Sequence, residues 1–138
     1  MALNDPKVIQ WVVESPRTLA VVGLSDKPDR PSHHVAEEMQ QRGYKIVPVT
    51  PKGETILGEK VYRSLAEIPF PVDVVDVFRA PPYVMEVVRD MAQMASKPKV
   101  LWLQEGVINA EAVAAAEAMG IDVVQDRCVY KEIVRAGK

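Results

Sequence analysis

The chain has 138 residues, with 17 Lys+Arg against 19 Asp+Glu, a formal net charge of -2, 48% hydrophobic residues and a single cysteine. A domain of this size buries about two thirds of its unfolded surface, so it needs no disulfide or structural metal, and one Cys with two adjacent His cannot build a zinc cluster. The balanced charge leaves no basic footprint for nucleic acid, and no apolar run approaches the roughly 20 residues that cross a bilayer.

The first apolar stretch is interrupted by Asp5, Lys7, Gln10 and Glu14, a pattern unlike a signal peptide that implies a cytoplasmic protein. It reads as a helix. Pro6 stands at a helix-start position behind Asn4 or Asp5, and Val8, Ile9, Val12 and Val13 make its packing stripe. Short runs rich in Val and Ile follow, at Leu19 to Leu24, Tyr44 to Val49, Val72 to Phe78, Val100 to Leu103 and Ile121 to Val124. Almost continuous apolar character is expected of parallel strands covered on both faces. Between them lie helical patterns. One runs through Val35, Ala36 and Met39, with Gly43 suited to the left-handed position past its end. A second uses Val84, Val87, Val88, Met91, Ala92 and Ala95, and a third runs from an Asn109 cap through Val113, Ala116 and Met119 to Gly120. The alternation predicts one α/β domain over 1–138, a doubly wound parallel sheet of about five strands with flanking helices. Only the stretch from Pro51 to Pro71 breaks it. A short strand at Lys60 to Tyr62 and a helical turn at Ser64 to Ile68 are expected there, with Ser64 and Glu67 at capping-box spacing.

Open parallel sheets bind ligands beyond the carboxyl ends of their strands, where the strand order reverses. The residues at those ends are therefore the candidates: Gly23, Ser25, Lys27, Arg30 and Ser32 after the first strand; Thr50, Pro51 and Lys52 after the second; Arg79, Pro81 and Pro82 after the third; Gln104, Glu105 and Gly106 after the fourth; Asp126, Arg127 and Cys128 after the fifth. A dinucleotide fold normally shows G-x-G-x-x-G in the first turn and an acid at the second strand's tip. Here Gly23 is followed by no glycine until Gly43, the loop carries Lys27 and Arg30, and the second strand ends Thr50-Pro51-Lys52 with no acid. Cations at these points suit phosphates, including a ribose with an extra phosphate as in NADP or coenzyme A. A solvated surface turn is the bland alternative for the same residues.

Catalytic groups are harder to find. His33 and His34 are neighbours on a helix and point to different faces, so at most one lines a site. Arg127 beside Cys128 raises the expectation of a lowered thiol pKa and of mixed-disulfide chemistry, against the alternative of a small buried apolar residue. Asp73 and Asp76 fall on opposite faces of a strand and make no carboxylate pair. Glu105, at a strand end, is the better functional acid.

Taken together, Val21-Val22-Gly23-Leu24-Ser25, Arg30-Pro31-Ser32, Gly43-Tyr44, Val47-Pro48-Val49-Thr50-Pro51, Val75-Asp76-Val77-Phe78-Arg79, Trp102-Leu103-Gln104-Glu105-Gly106 and Asp126-Arg127-Cys128 resemble the small stand-alone CoA-binding proteins. That family is similar to the N-terminal CoA-binding domain of the succinyl-CoA synthetase α subunit. The likeness spans about Thr18 to Glu132 and implies a Rossmann-like fold that binds CoA or acyl-CoA. By position, the synthetase's phosphate turn falls on Ser25 to Pro28 and its Thr-Pro-Gly-Lys segment on Thr50-Pro51-Lys52-Gly53, with Lys and Gly exchanged. Its Pro-Ala-Pro turn resembles Arg79-Ala80-Pro81, and its Thr-Glu-Gly turn resembles Gln104-Glu105-Gly106. The synthetase's phosphohistidine belongs to a second domain, so ligase activity does not follow from the resemblance.

The resulting expectation is a CoA-binding protein. Lys52 and Arg30 are assigned to the ligand's phosphates, Ser25 and Lys27 to the diphosphate, and the turns at Arg79 to Pro81 and Gln104 to Gly106 flank the nucleotide or pantetheine. An enzyme or redox sensor using NAD or NADP is the alternative, since related domains in redox-sensing repressors bind NAD. No nucleic-acid or membrane partner is expected, and the oligomeric state, a homo-oligomer included, stays open. Pro28, Pro31, Pro51, Pro81 and Pro82 all fall on turns after strands, which reads as a rim of stiffened loops.

Overall fold

The computed structural model describes residues 2–138. Helix α1, Pro6–Glu14, starts as its sequence requires, with the Asp5 carboxylate accepting the Lys7 N–H at 2.8 Å. There follow β1 (Thr18–Val22), α2 (Pro31–Gln41), β2 (Lys45–Val49), β3 (Thr55–Ile56), β4 (Glu59–Lys60), a 3-10 turn at Leu65–Glu67, and β5 (Val74–Val77). A second 3-10 turn, Pro81–Tyr83, leads into α3 (Val84–Met91), then β6 (Val100–Leu103), α4 (Ala110–Ala118), β7 (Asp122–Val124) and α5 (Val129–Arg135).

Five strands form one parallel sheet in the order β2-β1-β5-β6-β7. Alternation along each strand sorts the core into two layers. Ala20, Val22, Val75, Val77, Leu101 and Leu103 pack with Val87 and Met91 of α3 and Val113 and Ala116 of α4. Leu19, Val21, Val74, Val100 and Trp102 face the other way, onto Val8 and Val12 of α1, Met39 of α2 and Ile133 of α5. Trp102, fully buried, donates its indole N–H to the Arg127 carbonyl at 2.9 Å, which satisfies its one polar atom. The chain is thus a single α/β domain with helices on both faces. Its strand order reverses between β1 and β5, and the β1–α2 and β5–α3 turns therefore diverge to opposite faces and leave a crevice between them.

The predicted Val100–Leu103 strand is found with the same bounds, and the other four predicted runs form shorter paired segments. Expectation and structure part company in three places. The predicted Lys60–Tyr62 strand divides: Glu59 and Lys60 pair with Thr55 and Ile56 in a hairpin, while Tyr62 bridges to Val49 and exchanges backbone bonds with Pro48 and Thr50. Ser64 makes no side-chain cap; the Asp90 carboxylate of α3 takes the Leu65 and Ala66 N–H groups at 2.7 and 3.2 Å. The α3 pattern stops at Met91 instead of running on to Ala95.

Candidate functional site

The β1–α2 turn begins with Gly23 at φ +86°, its N–H donating to the Val49 carbonyl at 2.9 Å. A Cβ here would sit 2.9 Å from the Phe78 carbonyl oxygen, so only glycine lets β1 leave the sheet this close to the end of β5. Buried Leu24 anchors the next step. The Ser25 N–H then donates to the Ser32 hydroxyl at 3.0 Å, the Ser25 hydroxyl accepts from the Lys27 N–H at 3.1 Å, and the Lys27 carbonyl accepts from the Arg30 N–H at 3.0 Å. Pro31 opens α2 with φ already set. These bonds hold a long loop in one shape, and Ser32, itself buried, acts as its clamp. Ser25, Lys27, Arg30 and Ser32 line a cavity of about 380 Å³, with Phe78 opposite. Among the described residues, the Lys27 and Arg30 side chains make no ion pair.

A neighbouring cavity of about 350 Å³ shares Gly23 with the first and lies on the α3 side of the crevice. Val22, Val49, Thr50, Pro51 and Val87 form its apolar surface; Arg63 and Arg79 bring the cations, Glu86 and Asp90 the acids. Arg79 is held loosely, 3.9 Å from Glu86 and 4.7 Å above the Tyr83 ring. Arg63 donates to the Thr50 carbonyl at 3.2 Å and reaches the cavity from the irregular connection, a residue the strand-end reasoning passed over. Its only signal was a cation following Tyr62, at the segment flagged as irregular. Lys52 is exposed one residue beyond Pro51 and lines neither cavity, and Arg30 lies in the other one, so the structure does not bring Lys52 and Arg30 together.

The third cavity, about 470 Å³, meets the Lys27/Arg30 cavity at Pro31 and Phe78 and opens on the α2/α5 side. Gln104 and Glu105 line it, while Gly106 stands in the turn above, its N–H donating to the Asp126 carboxylate at 2.8 Å. Glu105 is exposed and bonded to the Lys131 ammonium at 2.9 and 3.1 Å, which raises the lysine pKa. Pro81 lines none of these three cavities; its carbonyl accepts from the Asn109 amide at 2.9 Å and ties the β5 turn to the start of α4.

Beneath Gln104, on the same face of the sheet, the buried Asp76 carboxylate accepts from the Gln104 side-chain amide at 2.5 Å. Burial pushes its pKa up to about 7, and the Gln104 bond opposes that rise. It pairs across the sheet, while Asp73 accepts from the Thr18 N–H at 2.8 Å on the opposite course. Burial likewise raises the Cys128 thiol pKa, with Glu105 and Asp76 adding to the effect. Of the two readings of Cys128, the small buried apolar residue is the one that fits, and the Arg127 guanidinium turns to Glu132, 4.0 Å away. His33 is buried with Nδ1 unpartnered, and His34 is exposed against the Tyr130 ring, as adjacent helix positions require. No group of three or more His, Cys, Asp or Glu among the described residues is placed to hold a metal.

The donor chemistry fits a long, polyanionic ligand: stiff loops, unpaired cations at one end, and an apolar cavity at the other. The comparisons with known proteins bear on which ligand. A family model described as a CoA binding domain matches residues 17–133. The chain belongs to this family. The uncharacterized protein YneT of Bacillus subtilis is 39% identical to the CoA-binding-domain chain over 121 residues, which are 88% of each protein. A solved structure of a hypothetical protein from Pyrococcus horikoshii superposes with a TM-score of 0.89 at 34% identity, covering 96% of this chain and 92% of the other. The ADP-forming acetate–CoA ligase II of Archaeoglobus fulgidus is 32% identical over 102 residues; they are 70% of this chain and 15% of the ligase. No helix among the described residues is long and apolar enough to cross a membrane.

Proposed function

We propose that this chain binds CoA along the three joined cavities, with the adenosine end between β2 and α3, the diphosphate at the β1–α2 turn and the pantetheine arm directed past Phe78 toward Gln104. The observation that carries the reading is continuity: the first two cavities meet at Gly23 and the second and third at Pro31 and Phe78, so one elongated ligand can follow the strand ends. Charge follows the same path. Lys27 and Arg30 suit the diphosphate, and Arg63 and Arg79, with Lys52 on the outer rim, suit the 3'-phosphate on the ribose. Gly23 brings backbone amides within reach of the ligand, and Thr50-Pro51 leaves the β2 tip without the acid that NAD-binding folds place on the ribose. Family membership favours CoA over NAD or NADP.

Calorimetric titration with CoA, 3'-dephospho-CoA and NADPH tests this. The reading expects CoA to bind at least tenfold more tightly than dephospho-CoA, the loss of a charge-assisted phosphate contact, and NADPH to bind more weakly than CoA. Equal binding of CoA and dephospho-CoA would remove Arg63, Arg79 and Lys52 from the role assigned.

A further inference from the structure

We propose that the third cavity is an acyl chamber, receiving an uncharged, apolar acyl group carried as a CoA thioester in preference to a free thiol or a carboxylated acyl chain. The proposal rests on the CoA reading above and names the class of ligand. Any ligand with its diphosphate at Lys27 and Arg30 that continues past Phe78 enters this space, because the two cavities share Pro31 and Phe78. Its walls are Val35, Phe78, Tyr130 and Cys128, and the half-buried Phe78 and Tyr130 rings already pack on the core below. These surfaces gain from covering apolar groups.

Charge argues for the same class. Lys131 is the cation of this lining, and Glu105 holds it through two hydrogen bonds at 2.9 and 3.1 Å. A carboxylate at the end of an acyl chain would find no free ammonium and would face Glu105. His34 stands exposed at the mouth with its ring against Tyr130. On the floor, Gln104 gives one amide N–H to Asp76 and keeps a second for a thioester carbonyl.

Calorimetric titration of the wild-type protein at pH 8 with CoA, acetyl-, butyryl-, hexanoyl- and succinyl-CoA tests the chamber. Affinity is expected to rise about three- to fourfold per methylene buried until the space fills, with succinyl-CoA no tighter than acetyl-CoA. A flat or falling series with CoA still bound overturns the chamber and leaves the CoA reading standing; no binding by any member overturns both. Tyr130→Asp places a charge in the wall and should lower the hexanoyl-to-CoA affinity ratio about tenfold, and an unchanged ratio also overturns the proposal. The wild-type series decides the matter even if this variant fails to fold.

Discussion

At the tips of β1 and β2 the cationic side chains form no ion pair among the described residues. Lys27 and Arg30 form no ion pair with any described residue, and the Arg63 guanidinium donates to the Thr50 carbonyl while its backbone N–H donates to the Glu67 carboxylate. At the tips of β6 and β7 the charges are matched: Lys131 lies 2.9 Å from Glu105, Arg127 lies 4.0 Å from Glu132, and Asp126 accepts from the Gly106 N–H. Both halves belong to the same rim of the same sheet, yet only one keeps electrostatic capacity for an anion. A formal net charge of -2 hides this, because charge counted over a chain says nothing about which charges have already been used. The difference also divides the roles expected of the two halves. Changes on the β6/β7 side should act on stability, and changes on the β1/β2 side on anion binding.

The largest effect is expected at the seam between β5 and β6. Asp76 has a carboxyl group pushed up to about 7 by burial, against an unfolded value of 3.8. Between those values the folded state binds the extra proton, so stability falls as pH rises from about 4 to 7 and levels off above. Asp76→Asn keeps an acceptor for Gln104 and removes the titration. At pH 8 it should be more stable than wild type by as much as about 4 kcal/mol, the gap closing toward pH 4, as read by urea melts across that range. Parallel pH profiles for the two proteins would show that Asp76 is not the source.

Gly23→Ala tests the crossing between the halves. The left-handed backbone and the 2.9 Å approach to the Phe78 carbonyl should together cost about 2 kcal/mol and lower CoA affinity at least tenfold. Retained affinity would mean that the ligand does not pass over this turn. Third in size, the double variant Lys27→Gln/Arg30→Gln should weaken CoA about 10- to 100-fold and flatten its salt dependence, with the melting temperature nearly unchanged. The smallest effect is reserved for Arg127→Gln, which breaks a long, half-exposed pair at the β7 tip; stability should change by less than about 1 kcal/mol and CoA affinity by less than twofold. A binding loss as large as that of the double variant would erase the distinction between the two halves.

How much of this was legible beforehand depended on whether the determining contacts were local. The five strands could be read because burial on both faces makes Val-rich runs, and the α1 and α4 caps because Asp5 and Asn109 bond within their own first turns. The Leu65 turn could not, since its cap is Asp90, 25 residues away. The hairpin was hidden too. Its turn residues, Leu57 and Gly58, both have positive φ, a geometry that normally advertises itself as Asn-Gly, and Leu57 is kept there by the Gln40 amide at 2.9 Å and by packing against the core. Helix α5 has only seven residues and leaves Val134 exposed, so its pattern is faint. At the site, every residue reached by counting past a strand end could be named. Arg63, brought in by a bridge between Tyr62 and Val49, could not, whereas the buried Cys128 agrees with the small apolar residue read from the sequence.

The most direct test of the central claim is amide chemical-shift mapping of the isotope-labelled protein during titration with CoA. The account predicts saturable shifts at Gly23, Ser25, Lys27, Thr50 and Arg63, continuing to Phe78 and Gln104, with α1 and the far ends of the strands unmoved. Saturable shifts confined to residues outside the strand-end crevice, or none at millimolar CoA, would contradict it.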